Sequence, residues 1–170
     1  MAISRKVATA SVAAAALAAA LVGVQNASAD PITGGCSGGH VSFSTTPLGM
    51  SAAPTTATWN GNLTGCTGTP ASNATISGTF NGTGSCADVN GQIDGTVTWS
   101  NGAVSRISGF WRVPGGGDTT NTVTITDGPG ARGLLVVEQG PISNASAMVV
   151  PCLTGQARSA DVPIMAAHFS

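Results

Sequence analysis

A short pattern recurs four times in the chain and restricts its folding more than any other feature. Each copy reads apolar, polar, glycine, any residue, apolar, and the copies lie at residues 59–63, 76–80, 93–97 and 107–111. Alternate residues of a β-strand share a face, so each copy directs two large apolar side chains to one side with a glycine between them. A glycine inside a strand normally weakens it. The pattern therefore predicts strands whose glycines leave room for bulky side chains from neighbouring strands or an opposing sheet.

Turn-forming residues separate these units from one another and from later apolar runs. Asn101-Gly102, between Trp99 and Val104, is typical of a hairpin with a type I′ turn, which needs positive φ at both central residues. Further candidate strands lie at residues 122–126, 133–138, 145–150 and 163–169, and no segment after residue 29 has a helical period. We predict an all-β fold, an antiparallel sandwich or barrel of about eight to nine short strands.

The cysteines are even in number and widely spaced. They are Cys36, Cys66, Cys86 and Cys152. Zinc sites usually contain closely spaced cysteine pairs, whereas an even number of separated cysteines in an exported chain indicates disulfides. A hairpin centred near Ser51 would place Cys36 opposite Cys66 and leave Cys86 to pair with Cys152. We predict these two disulfides and no metal site.

Residues 1–29 have the organisation of a secretory signal peptide. Arg5 and Lys6 precede an apolar stretch, and Ala27-Ser28-Ala29 forms a small-x-small cleavage site. We therefore expect residues 30–170 to form a single all-β domain that is secreted to the extracellular space and has no membrane attachment after cleavage.

The low charge of the chain narrows its partners. Only 8% of residues are charged, and beyond residue 29 the cations are four scattered arginines, Arg106, Arg112, Arg132 and Arg158. Nucleic acids and anionic membranes are bound through clustered cations. We expect no nucleic-acid partner, no cofactor and a monomer.

Catalytic motifs are weak. Gly35–Gly39 matches G-x-S-x-G and is followed by His40, but that motif requires a preceding strand and a following helix, and Cys36 is expected to be in a disulfide. His168 lies far from His40 in the chain. The carboxylates near predicted turns and strand ends are expected to be solvated or to form turns: Asp88, Asp94, Asp118, Asp127 and Glu138. We assign no catalytic residue, and a secreted hydrolase is the third functional hypothesis.

Three segments resemble small exported actinobacterial β-rich proteins of unassigned function. These segments are residues 62–68, 77–86 and 95–102, and the resemblance covers roughly residues 57–110. It implies an exported bacterial β-protein and transfers no catalytic or binding residue.

The tryptophans are the candidate ligand-binding residues. Aromatic rings can stack on sugars, yet Trp59 and Trp111 occupy inward positions of the repeated pattern, and Trp99 is in phase with Ile93 and Val97, which predicts burial. The first functional hypothesis is a non-enzymatic binding or cell-surface-associated module whose partner is a cell-wall glycan or another extracellular ligand. The alternative is a carrier that holds a small apolar molecule in a barrel or sandwich cavity.

Overall fold

The computed structural model describes residues 31–170, and the predicted signal peptide lies outside the described residues. Eight antiparallel strands, each hydrogen-bonded to the next in chain order, form a barrel that pairing between the first and last strands closes. The strands are β1 (Gly35–Leu48), β2 (Ala53–Thr67), β3 (Ala74–Gly84), β4 (Asp88–Trp99), β5 (Val104–Pro114), β6 (Thr119–Asp127), β7 (Leu134–Gln139) and β8 (Ala157–Phe169), with one helix, α1 (Ala145–Leu153), before β8. The all-β prediction is confirmed, in its barrel form.

Two of the four repeated glycines, Gly78 and Gly95, perform the predicted packing role. Trp59 on β2 lies opposite Gly78 on β3, and Gly78 lies opposite Gly95 on β4. The indole of Trp59 extends across both glycines, since a Cβ placed at Gly78 would lie 2.5 Å from its Cζ2 atom. One large ring thus occupies the space of two missing side chains, and the apolar residues of all four copies are buried.

The two ends of the barrel differ. At one end, which we call the Trp99 end, the Trp99 side chain is buried and its Nε1–H donates to Ser105 Oγ at 3.1 Å. Its ring centroid lies 5.4 Å from that of Phe169. The opposite end, which we call the helix end, carries α1 and the β1–β2, β3–β4 and β5–β6 turns.

Each end contains one of the two predicted disulfides. Cys36 lies directly opposite Cys66 in the β1–β2 register, and these residues are bonded at the Trp99 end. Cys86 in the β3–β4 turn is bonded to Cys152 of α1 at the helix end. The predicted pairing is confirmed.

The prediction of a strand at residues 145–150 is wrong, because this segment begins α1. Pairing of β1 with β8 already closes the barrel, so the segment finds no free strand edge and satisfies its backbone groups locally as a helix. Its buried residues, Met148 and Cys152, lie one helical turn apart and face the barrel. Among residues 31–170, no helix has the length and apolar character needed to cross a membrane.

The Asn101-Gly102 hairpin is present, but its predicted type I′ turn is wrong. Gly102 has φ of 89°, whereas Asn101 does not have positive φ. The Asn101 side chain instead accepts a hydrogen bond from the Ala103 N–H at 3.0 Å and donates to the Pro70 carbonyl at 2.9 Å. Contact with the β2–β3 connection therefore helps to fix a turn that local sequence alone does not specify.

The shortest backbone ladder in the barrel joins β5 to β6. It contains three residue pairs, at Arg106, Ile107 and Ser108. Further along, the Asn121 side chain substitutes for the ladder, since its Oδ1 accepts the Arg112 N–H at 2.8 Å and its Nδ2 donates to the Arg112 carbonyl at 3.0 Å. Gln139, which is 1% exposed, accepts a second bond from the Asn121 amide at 3.1 Å.

Candidate functional site

The middle of the barrel is filled by side chains. The cavity there measures about 20 Å³ and is lined by Val41, Phe43, Trp59, Leu63, Ile76, Ile93, Ile107, Trp111, Leu135, Val137 and Ile164. A space of this size holds about one water molecule. The mid-barrel therefore does not provide the cavity of several hundred Å³ expected of a carrier that encloses its ligand.

A second internal cavity lies directly beneath α1, and we call it the chamber. It measures about 30 Å³ and is lined mainly by apolar residues: Phe43, Thr45, Leu48, Ala57, Phe80, Ser85, Cys86, Val89, Trp111, Val113, Gly115, Ile142, Met148 and Ala160. Trp111 and Thr45, which both line it, each have a buried polar atom, Nε1 and Oγ1, that finds no hydrogen-bond partner among residues 31–170. Buried polar atoms without partners are uncommon, because their desolvation is uncompensated.

An open apolar groove lies outside the chamber, between α1 and the neighbouring turns. It measures about 300 Å³ and is lined by Met50, Cys86, Ala87, Gly115, Ile142, Ala145, Met148, Val149, Cys152 and Leu153. Met50, Val149 and Leu153 are 63%, 55% and 69% exposed, respectively. Grouped exposed apolar side chains of this kind mark interaction sites more often than isolated ones do.

The groove and the chamber share part of their walls. Cys86, Gly115, Ile142 and Met148 line both spaces. Met148 is buried, and methionine side chains are flexible enough to adopt several packing arrangements. Met148 is therefore one of four residues that lie between the outer groove and the inner chamber.

Charge is absent from the lining of both spaces. In the described part of the chain, every side chain that lines the groove or the chamber is non-ionisable. Asp88, which begins β4 at this end, instead forms an ion pair with Arg112 at 2.7 Å. The site therefore suits an uncharged molecule, since a charged group would lose its hydration without gaining a partner.

All three tryptophans are buried, as predicted for Trp59 and Trp111 from the repeated pattern and for Trp99 from its phase with Ile93 and Val97. Trp59, Trp99 and Trp111 are 5%, 1% and 6% exposed, so none offers a ring face to a sugar on the surface. The Trp59 Nε1–H donates to the Thr79 carbonyl at 3.1 Å, and that of Trp99 donates to Ser105. Trp111 differs from the other two because its N–H has no partner among residues 31–170.

The weak catalytic motifs do not converge. Ser37 and His40 lie exposed on β1, no helix follows them, and Cys36 is in a disulfide. His168 lies opposite Gly35 whereas Pro163 lies opposite His40, so the histidines are separated by five residues of β1, about 17 Å. Within residues 31–170, no group of three or more His, Cys, Asp or Glu residues is arranged to hold a metal ion.

The remaining candidates from the sequence lie on the outer wall or in turns. His40 is exposed within β1 rather than at a strand end, and His168 is 3.7 Å from Glu138. Asp127 is 3.7 Å from Arg106, and both side chains of this ion pair are largely exposed. Asp94 faces outward on β4, and Asp118 lies in the connection between β5 and β6.

A second, polar depression lies on the outer wall of β1 to β3. It is open, measures about 480 Å³, and its lining is largely hydroxyl and amide: Ser44, Thr46, Thr56, Ala57, Thr58, Thr79, Phe80 and Asn81.

Sequence reasoning missed the groove because it assigned residues 145–150 to a strand. Two signals pointed to a helix there. Met148 and Cys152 have the i, i+4 spacing of one helix face, and Gly155, which has φ of 68°, follows the helix at the position where glycine commonly terminates one.

No protein family, curated protein or solved structure matches the chain. The resemblance of residues 57–110 to small exported actinobacterial proteins therefore stays a prediction.

Proposed function

We propose that the chain is a non-enzymatic binding protein that takes up a small, uncharged apolar molecule at the helix end of the barrel. The observation that carries this proposal is the apolar groove of about 300 Å³ beside α1, with exposed Met50, Val149 and Leu153. Burying those side chains against a ligand would contribute favourable free energy in proportion to the apolar area covered.

This function combines the two leading hypotheses from the sequence. Like the first hypothesis, it describes a non-enzymatic binding module, and like the second, it assigns a small apolar ligand. The site lies at the mouth of the barrel rather than in its middle. The two disulfides are compatible with the secreted, extracellular location expected from residues 1–29.

Binding of N-phenyl-1-naphthylamine, a neutral apolar fluorophore, tests the proposal. We expect its fluorescence to rise on titration with protein, and the double variant Val149→Asp/Leu153→Asp to bind at least about tenfold more weakly, because both side chains line the groove. Both are exposed, so the substitutions should leave the barrel folded.

Met165→Ser is the matched control. Met165 is 60% exposed on β8 and does not line the groove, so this variant should bind the fluorophore as the parent does. Absence of fluorophore binding, or an equal loss in both variants, would overturn the proposal.

The polar depression on β1 to β3 supports a second candidate, binding of a cell-wall glycan. Its hydroxyl and amide groups resemble those that hydrogen-bond sugars, although no tryptophan lines it. Co-sedimentation with insoluble peptidoglycan tests this candidate. We expect Thr58→Arg to reduce the bound fraction and Thr98→Arg, which lies on the outer face of β4 outside the depression, to leave it unchanged.

A further inference from the structure

The three buried tryptophans differ in the hydrogen bonding of their indole N–H groups, and the exception is Trp111 Nε1. All three rings are buried, and two of their indole N–H groups are bonded to protein oxygens. The third, Trp111 Nε1–H, has no partner among residues 31–170, and Trp111 lines the chamber together with Thr45, whose Oγ1 is likewise without a partner. An indole nitrogen can only donate, so it needs an acceptor.

We propose that the ligand carries one hydrogen-bond acceptor, such as a ketone or ester carbonyl, which enters the chamber and accepts the Trp111 Nε1–H. The apolar remainder of the ligand lies in the groove. Thr45, which also lines the chamber, has the other polar atom without a partner among residues 31–170, Oγ1. This inference rests on the proposed function, because it assigns the two ends of the ligand to the two connected spaces of that site.

The chemistry of the lining selects a neutral acceptor. No cation lines the chamber among the described residues, so a carboxylate or phosphate would enter without a counter-charge. A carbonyl oxygen needs no counter-charge, and it can accept the hydrogen bond that the Trp111 N–H offers.

The route into the chamber passes Met148. This residue lines both spaces, as do Cys86, Gly115 and Ile142. Met148 belongs to a nine-residue helix with no side-chain cap at its N-terminus and Pro151 inside it. Met148 and Cys152 are its buried residues, and Cys152 is fixed by its disulfide. Displacement of the Met148 side chain would enlarge the chamber without unfolding the barrel.

The test compares 2-nonanone with nonane, which has the same chain length and no acceptor. Their affinities are measured by displacement of N-phenyl-1-naphthylamine, and the indole N–H signals of the three tryptophans are followed by ¹H–¹⁵N NMR. Trp111→Phe assigns one signal by its loss. We expect 2-nonanone to shift that signal to lower field in the parent protein, and nonane not to do so.

The variants measure the hydrogen bond. Trp111→Phe should lower the affinity for 2-nonanone about tenfold and leave the affinity for nonane unchanged, because the substitution removes the hydrogen-bond donor and keeps an aromatic ring. Thr45→Val is a second variant, which retains the shape of the threonine side chain. It should also reduce the difference in affinity between 2-nonanone and nonane. Trp59→Phe is the control, because the Trp59 N–H already has the Thr79 carbonyl as its partner. This control should preserve the preference for the ketone.

Three outcomes separate the inference from the proposed function. A ketone preference that Trp111→Phe abolishes supports both. Equal binding of ketone and alkane, or a preference that survives in Trp111→Phe, overturns the inference and leaves an apolar binding site. If neither probe displaces the fluorophore or shifts an indole signal, the inference is overturned. If the fluorophore itself does not bind, the proposed function is overturned as well.

Discussion

At the scale of single residues, the contact of Trp59 with two glycines makes a quantitative prediction. A Cβ at Gly95 would overlap the Cζ2 atom of Trp59, so Gly95→Ala should lower the free energy of unfolding by about 1–3 kcal/mol through overpacking. Urea denaturation measures this change. Gly116→Ala is the control, because a Cβ there meets nothing within 4 Å, and its effect should stay within about 0.5 kcal/mol.

The same contact can be tested by coupling. Trp59→Phe shortens the ring system that covers Gly95, so the penalty of Gly95→Ala should be smaller in the Trp59→Phe background than in the parent. Residues in contact show such non-additivity, whereas distant residues do not. If the two substitutions change the free energy of unfolding additively, contact with the indole is not the reason that position 95 requires glycine.

At the scale of structural elements, the disulfide between Cys86 and Cys152 holds α1 over the chamber. The double variant Cys86→Ser/Cys152→Ser should lose about 4 kcal/mol of stability, the amount that the chain-entropy model gives for a bridge separated by 66 residues. It should also accelerate hydrogen exchange in α1 more than in the strands. The double variant Cys36→Ser/Cys66→Ser, which opens the disulfide at the Trp99 end, is the control. In this variant the ratio of the hydrogen-exchange rate in α1 to that in the strands should be the same as in the parent protein. Equal effects of both variants on α1 would contradict this role.

The short β5–β6 ladder gives a second prediction at this scale. Asn121→Ala removes the side chain that pairs with both backbone groups of Arg112, which should cost about 2–3 kcal/mol and speed exchange of the Arg112 amide. Asn60→Ala is the comparison, since Asn60 is exposed on β2, and it should have little effect on either measurement. Unchanged exchange at Arg112 would show that β5 and β6 are held together by other contacts.

At the scale of the whole molecule, the charged side chains of residues 31–170 lie on the outer wall and in the turns, while the groove and chamber are lined by uncharged side chains. We therefore expect the affinity for N-phenyl-1-naphthylamine to change less than about twofold between pH 5 and pH 8, because no group in the lining changes its charge. Fluorescence titration at both values tests this. A steep dependence on pH would place a carboxylate of the helix end, Asp88 or Asp118, in contact with the ligand.

Much of the barrel was predictable because its information is local. Alternating apolar residues set the faces of β2 to β5, and equal distances from the β1–β2 turn placed Cys36 opposite Cys66. The candidate site was much less predictable. Met50, Gly115 and Met148 come from three separate connections, and only closure of the barrel brings them to one end.

The sequence by itself determined the class of fold, the pairing of the cysteines and the burial of the three tryptophans, because strand periodicity and chain reversal are properties of neighbouring residues. The tertiary structure decided three things that depend on distant groups. It selected the barrel over the sandwich through the β1–β8 pairing, and it made residues 145–153 a helix because no strand edge remained for them. It also left one indole N–H of three without a partner among residues 31–170, since only the packing of the whole barrel determines which carbonyl or hydroxyl reaches each ring.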